Sequence, residues 1–182
     1  MRISEVKDYI VRRYMSPTAR RVALLLLGPP GIGKSVSVYD AAEEIAQKLG
    51  RQFITMRLRW RAGRFVIASD GEREFFEVLN RPDEYFVLTD IRLSTIAPED
   101  LIGIPRSHNY MSFYEPLAWA VLHSALPGIV FTDEFTQINR PDVESASYPV
   151  ILDHLAGFVE FSPDTMVVAA GNAPEHSRGR QH

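Results

Sequence analysis

The sequence predicts an α/β fold of three layers, α/β/α, around a mainly parallel sheet. Three observations carry that prediction. Apolar runs at 22–27, 85–93, 128–132 and 166–170 have the length and near-continuous hydrophobicity of strands buried on both faces. Helical patterns separate them, as a parallel sheet requires of its crossovers. The first run ends in Gly28-Pro-Pro-Gly-Ile-Gly-Lys-Ser35, a glycine-rich turn that opens directly onto a helical pattern.

Composition bounds what such a fold can be. With 182 residues, 46% of them hydrophobic, the chain can bury one sizeable core, so a single domain spanning 1–182 with its core at 20–174 is expected. A net charge of −3 gives no global pull toward nucleic acid or anionic membrane, and any such contact has to use a local patch. The absence of cysteine excludes disulfides and thiolate metal sites and fits a reducing compartment. Residues 1–14 carry charges throughout, without the apolar segment of a secretion signal, and no stretch approaches membrane-spanning length. A cytoplasmic protein without a membrane span is the expectation.

The elements follow in order. Ile3, Val6 and Ile10 fall at helical spacing and predict a short amphipathic helix ended before Ser16 and Pro17. After the strand at 22–27, Val38, Ala42, Ile45, Ala46 and Leu49 form one helical face, with Gly50 as its C-cap. Residues 52–60 and 65–69 read as a hairpin turning at Ala62-Gly63, and 72–80 as a short helix, so 51–84 is read as a β-hairpin insertion. The second core strand is at 85–93, a helix carrying Leu117, Trp119 and Val121 at 115–124, and the third core strand at 128–132. Residues 142–155 read as a helix that Pro149 kinks or whose true start it marks; a short strand at 157–161 precedes the fourth core strand at 166–170.

Chemistry concentrates at the ends of these strands. A strand that ends in a glycine-rich turn and opens a helix aims backbone N–H groups and the positive end of the helix dipole at one anion. Gly28, Pro29, Pro30, Gly31, Ile32, Gly33, Lys34, Ser35 and Val36 are therefore the candidate triphosphate cradle. Gly28, Gly31 and Gly33 allow the backbone to curl, Lys34 reaches the β and γ phosphates, and the Ser35 hydroxyl is a Mg²⁺ ligand. The third core strand ends in Asp133-Glu134. Carboxyl ends of parallel strands share one edge, so Asp133 is the second candidate for Mg²⁺ and Glu134 the candidate base for an attacking water. The fourth strand ends in Gly171-Asn172, whose amide suits both the γ-phosphate and the water.

These residues together resemble an AAA+ ATPase, a P-loop NTPase. The resemblance narrows at Asp90-Ile-Arg-Leu-Ser-Thr-Ile-Ala-Pro-Glu-Asp-Leu-Ile-Gly-Ile-Pro105, which is similar to the MoxR-like branch in its Asp-Leu-Ile-Gly-Ile-Pro signature. Tyr148-Pro-Val-Ile-Leu-Asp-His154 and Val167-Val-Ala-Ala-Gly-Asn-Ala-Pro174 resemble the same branch. The resemblance implies an ATP- and Mg²⁺-dependent ATPase domain, a smaller helical lid, and a ring, commonly hexameric, in which a neighbour supplies an arginine finger. It also implies remodelling of a protein partner, and it alone carries the preference for adenine. The run from Asp133 to Arg140 departs from the commoner Asp-Glu-Ile-Asn by substitution and one inserted residue, so no role passes to Asn139 or Arg140. By the same resemblance the family's finger, second sensor and lid would fall beyond His182, so none of them is assigned to a residue of this sequence. Arg178 and Arg180 come too early for fingers and read as a polar tail. Two other functions remain open: a nucleotide-dependent switch or scaffold without turnover, and a motor or loader stimulated by nucleic acid.

The last of these rests on Arg57, Arg59 and Arg61, which alternate with Met56, Leu58 and Trp60, and on Arg64 beyond the turn. A strand puts those arginines on one face and the apolar residues on the other. Such a face suits nucleic-acid phosphates, an acidic protein or a ring neighbour, though most basic faces are simply solvated. The histidines form no zinc pattern, and Tyr110, Phe113, Tyr114 and Trp119 are expected in a core or an interface.

Overall fold

The computed structural model describes residues 1–174; the tail positions Arg178 and Arg180 lie outside the described residues. The chain begins with α1 (Ile3–Met15), whose Glu5 carboxylate accepts from the Arg2 N–H and whose inner face buries Ile10, Val11 and Tyr14. Strand β1 (Leu24–Gly28) runs into the glycine-rich turn and then α2 (Lys34–Lys48), which buries Val38, Ala41, Ala42, Ile45 and Ala46 along one face. Gly50 closes α2 at φ 66°, a conformation that favours glycine.

Next come β2 (Gln52–Thr55), β3 (Leu58–Arg61), β4 (Arg64–Ala68), β5 (Glu72–Glu74) and α3 (Phe75–Leu79). Strand β6 (Tyr85–Arg92) leads to α4 (Glu99–Ile102) and to the hairpin of β7 (Ile104–His108) and β8 (Met111–Glu115). The remaining elements are α5 (Ala118–Ala125), β9 (Gly128–Asp133), α6 (Pro141–Asp153), the small hairpin β10 (Leu155–Ala156) and β11 (Val159–Glu160), and β12 (Thr165–Asn172).

Five strands form one parallel sheet in the order β1-β12-β9-β6-β2. Alternate residues of the central strands serve opposite layers. Phe86, Leu88, Ile129, Phe131, Met166 and Val168 pack under α1 and α2, while Val130, Val167 and Ala169 pack with Leu101, Trp119, Val150 and Ile151 of the helices on the other side. That two-sided burial is why these strands read as continuous apolar runs. Gly128 is required by close approach: a Cβ there would lie 2.1 Å from the Val87 carbonyl oxygen and 2.9 Å from His123 Cε1.

Several expectations change. Residues 52–55 are not part of the hairpin but pair with β6 as the edge strand of the main sheet, so the insertion is narrower than 51–84. The chain leaves that edge after Thr55, whose N–H donates to Ser69 Oγ, and the hairpin proper is β3–β4, extended by β5 to three strands. Residues 72–74 are that third strand, leaving a helix only at Phe75–Leu79. The helix expected from Glu115 begins at Ala118, because Met111–Glu115 is strand and Pro116-Leu117 stays extended into the N-cap. Pro149 sits inside a helix that continues on both sides, held by buried Val143, Ser147, Val150 and Ile151. Hairpin β7–β8 has no clear sequence signal: its strands are almost wholly exposed, so no apolar alternation marks them.

Candidate functional site

The carboxyl ends of β1, β9 and β12 meet the N-terminus of α2 around a cleft of about 380 Å³. It is lined by Pro30, Gly31, Gly33, Lys34, Ser35 and Val36 from the turn and first helical residues, by Asp133, Glu134 and Gln137 after β9, and by Asn172 at the end of β12. The turn needs its glycines, because Gly31 and Gly33 adopt φ of 76° and 89°, where any residue with a Cβ is strained. Gly33 is the N-cap of α2 and offers no side-chain cap, so the first amides of a 15-residue helix are left for another acceptor.

Lys34 Nζ bridges the two strand ends, donating to the carbonyls of Gly28 at 2.8 Å, Pro29 at 3.2 Å and Gly171 at 3.1 Å. Its ammonium, which lines the cleft, is thus held by neutral acceptors and has no carboxylate within ion-pair distance among the described residues. Ser35 Oγ donates to Asp133 Oδ2 at 3.1 Å across 98 residues of sequence. The backbone reason is the shared edge of a parallel sheet.

Glu134 departs from the strand. Its φ of 58° is in the left-handed region, uncommon for a residue with a side chain, and ends the extended course of β9. Ser94 Oγ donates to Glu134 Oε2, and Arg92 Nε lies 3.9 Å from Oε1. The Glu134 N–H donates to Asp133 Oδ1 at 2.8 Å, which ties the two acids to each other.

Sequence reasoning missed the next turn. Phe135–Gln137 is a 3₁₀ turn, and Thr136 Oγ1 accepts the Asn172 N–H at 2.8 Å while donating to Gln137 Oε1 at 3.2 Å. A Cβ at Gly171 would lie 2.6 Å from Thr136 Cγ2, so the glycine exists to admit this threonine. The signal was available as the departure at Phe135-Thr136-Gln137, but its meaning depended on β12 lying beside β9. Gly28, Pro29 and Ile32 do not line the cleft; the first two lend carbonyls to Lys34, and Ile32 is exposed beside it.

The residues present fit a nucleotide with Mg²⁺ on the chemistry of the donors. Uncapped helix amides and Lys34 match phosphate oxygens, and one hydroxyl with one carboxylate is the sparse protein share typical of a Mg²⁺ that phosphates also hold. Among the described residues no group of three or more His, Asp and Glu is placed to hold a metal by itself.

Fold and cleft together define a mixed α/β protein with a five-stranded parallel sheet, of the Rossmann-like or P-loop kind, with its polar groups gathered at the strands' carboxyl ends. No protein-family model matches the chain, and none of the curated proteins compared with it matches either. Among the described residues no helix is long and apolar enough to cross a membrane.

Proposed function

We propose that the chain is the nucleotide-binding α/β portion of an AAA+ ATPase of the MoxR-like kind, which binds ATP with Mg²⁺ and couples hydrolysis to rearrangement of a protein partner. One observation carries the reading. Ser35 and Asp133, distant in sequence, share a hydrogen bond at the open N-terminus of α2, with Glu134 on the following turn. Ser35 and Asp133 would hold the Mg²⁺, which when bound draws charge from the β and γ phosphates. Lys34 exchanges its three carbonyl partners for phosphate oxygens and follows the charge that develops there. Asn172, and Gln137 beside it, orient the γ-phosphate and the attacking water, and Glu134 accepts the water's proton.

Mg²⁺-dependent ATP turnover across a wide range of protein concentration tests this, with Lys34→Ala as the blank. Turnover lost in Lys34→Ala, and reduced at least about a hundredfold in Glu134→Gln at unchanged nucleotide affinity, is expected. Retained turnover in Glu134→Gln would remove Glu134 as the base. A steep rise with concentration supports assembly into a homo-oligomeric ring whose neighbour completes the site. A second reading, a nucleotide-dependent switch without turnover, is favoured by the hold of Ser94 and Arg92 on Glu134; tight binding with no hydrolysis at any concentration would establish it.

A further inference from the structure

We propose that the tip of the β3–β4 ribbon, Trp60-Arg61-Ala62-Gly63-Arg64-Phe65, docks single-stranded nucleic acid, the bases stacking on Trp60 and the phosphates lying against the tip arginines. Alternation along β3 leads one to expect its apolar residues against the core, and half of them obey. Leu58 faces Ile67 across the ribbon, and both join the cluster around Phe75 and Val78. The next pair on that face, Trp60 and Phe65, extends past the core: Trp60 is 63% and Phe65 41% exposed. Their rings stand edge to face with centroids 4.7 Å apart, so Phe65 props the indole and leaves it open to solvent.

The opposite face carries charge. Arg61 and Arg64 are directly opposed as the last pair before the turn, an arrangement of like charges that costs stability. The turn itself is tight: Ala62 and Gly63 take φ of 51° and 80°, the two left-handed residues of a two-residue hairpin, which keeps the pair close. Arg61 also meets Glu72, but among the described residues neither Arg59 nor Arg64 has a carboxylate within ion-pair distance. Residues 59–65 are exposed without interruption. Arg57 does not belong to this patch, since it bears on Tyr39 of α2 instead. In a chain of net charge −3, a cationic tip is a local feature rather than a share of a basic surface.

Guanidinium pairs with phosphate, and an exposed indole pairs with the face of a base. A single strand supplies both within one nucleotide step, and at the two-residue turn the indole of Trp60 and the guanidinium of Arg61 belong to neighbouring residues. A duplex keeps its base faces covered by stacking, and an acidic peptide offers the arginines a partner but gives the open indole none. The inference does not depend on the nucleotide cleft, so each can fail alone.

The indole provides the test. The chain has two tryptophans, and Trp119 is buried with its Nε1 bonded to the Asp100 carbonyl at 2.9 Å. Emission changes on titrating the full chain with a thymidine homopolymer therefore report Trp60. Quenching with affinity that falls as salt rises is expected. Arg61→Ala with Arg64→Ala should weaken binding about tenfold or more and flatten the salt dependence. Trp60→Leu should weaken it about fivefold or more while keeping the salt slope, read by anisotropy of a labelled strand. Absence of binding overturns the proposal, and so does binding without quenching. Equal or tighter binding of polyglutamate, lost in the same arginine variant, would reassign the tip to an acidic protein. Trp119 emission, read alone in Trp60→Leu, and an unchanged midpoint of thermal unfolding in the arginine variant show that the fold has survived.

Discussion

Thr136 has one hydroxyl and two tasks, accepting from the end of β12 and donating to Gln137 in the cleft. Replacing it with valine keeps the shape and removes both bonds, while serine keeps them. On the proposed ATPase reading, Thr136→Val is expected to lower kcat about tenfold with little change in KM, and Thr136→Ser to restore it, because a displaced Asn172 would affect orientation more than binding. Steady-state turnover of the two variants checks this. His123 is a second case of a single side chain deciding a property. It is fully buried beside Thr89, Thr165 and Phe161, and burial pushes its pKa down to about 3. The unfolded chain, with an ordinary imidazole near 6.5, binds the proton more readily, so folding stability falls as pH drops from 6.5 toward 3. The expected slope is on the order of 1 kcal/mol per pH unit, and urea unfolding at several pH values should show it diminished in His123→Leu.

Among the elements, α6 accommodates Pro149 at a known expense. A proline within a helix forfeits one hydrogen bond and crowds the preceding turn. Val143, Ser147, Val150 and Ile151 are buried on either side of it and carry the helix through. Pro149→Ala is therefore expected to stabilise the protein by about 1–3 kcal/mol, visible as a higher midpoint in thermal or denaturant unfolding. The hairpins illustrate the reverse condition. Strands β7 and β8 bury almost nothing, and the β3–β4 ribbon is covered only at its base, at Leu58, Val66 and Ile67. With so little burial, such ribbons are held by backbone pairing and by cross-strand contacts such as Arg106 with Glu115 and Trp60 with Phe65, and side chains such as Arg59 and Arg64 remain exposed.

Across the whole molecule, burial is graded from the sheet's centre outward. Strands β9 and β12 lie between neighbours on both edges and helices on both faces, whereas β1 forms an edge with Leu25 and Leu27 each 49% exposed. Amide hydrogen exchange should accordingly be slowest in β9 and β12, intermediate in β1 and β2, and fastest in the β7–β8 hairpin and at the β3–β4 tip. Protection of the β3–β4 tip equal to that of β9 would contradict this gradient.

The layout of the elements follows from local rules that the amino-acid order already obeys. Continuous apolar runs become buried strands, and a glycine-rich turn before a helix leaves the helix's first amides open, because both depend on residues close together in the chain; that two acids at a strand end lie beside that turn, across 98 residues, followed from the rule that parallel strands share one carboxyl edge. The helices α1 and α2 and four of the five sheet strands, β1, β6, β9 and β12, were legible for this reason. The rest depends on pairings between distant segments. Whether 52–55 joined the hairpin or the main sheet turned on a pairing with β6, thirty-odd residues away. The hold of Ser94 on Glu134, and of Thr136 on Asn172, needed strand order to bring three chain segments to one edge. The exposure of Trp60 needed a measure of where the core stops, and periodicity reports only which residues share a face, never whether another layer reaches far enough to cover it.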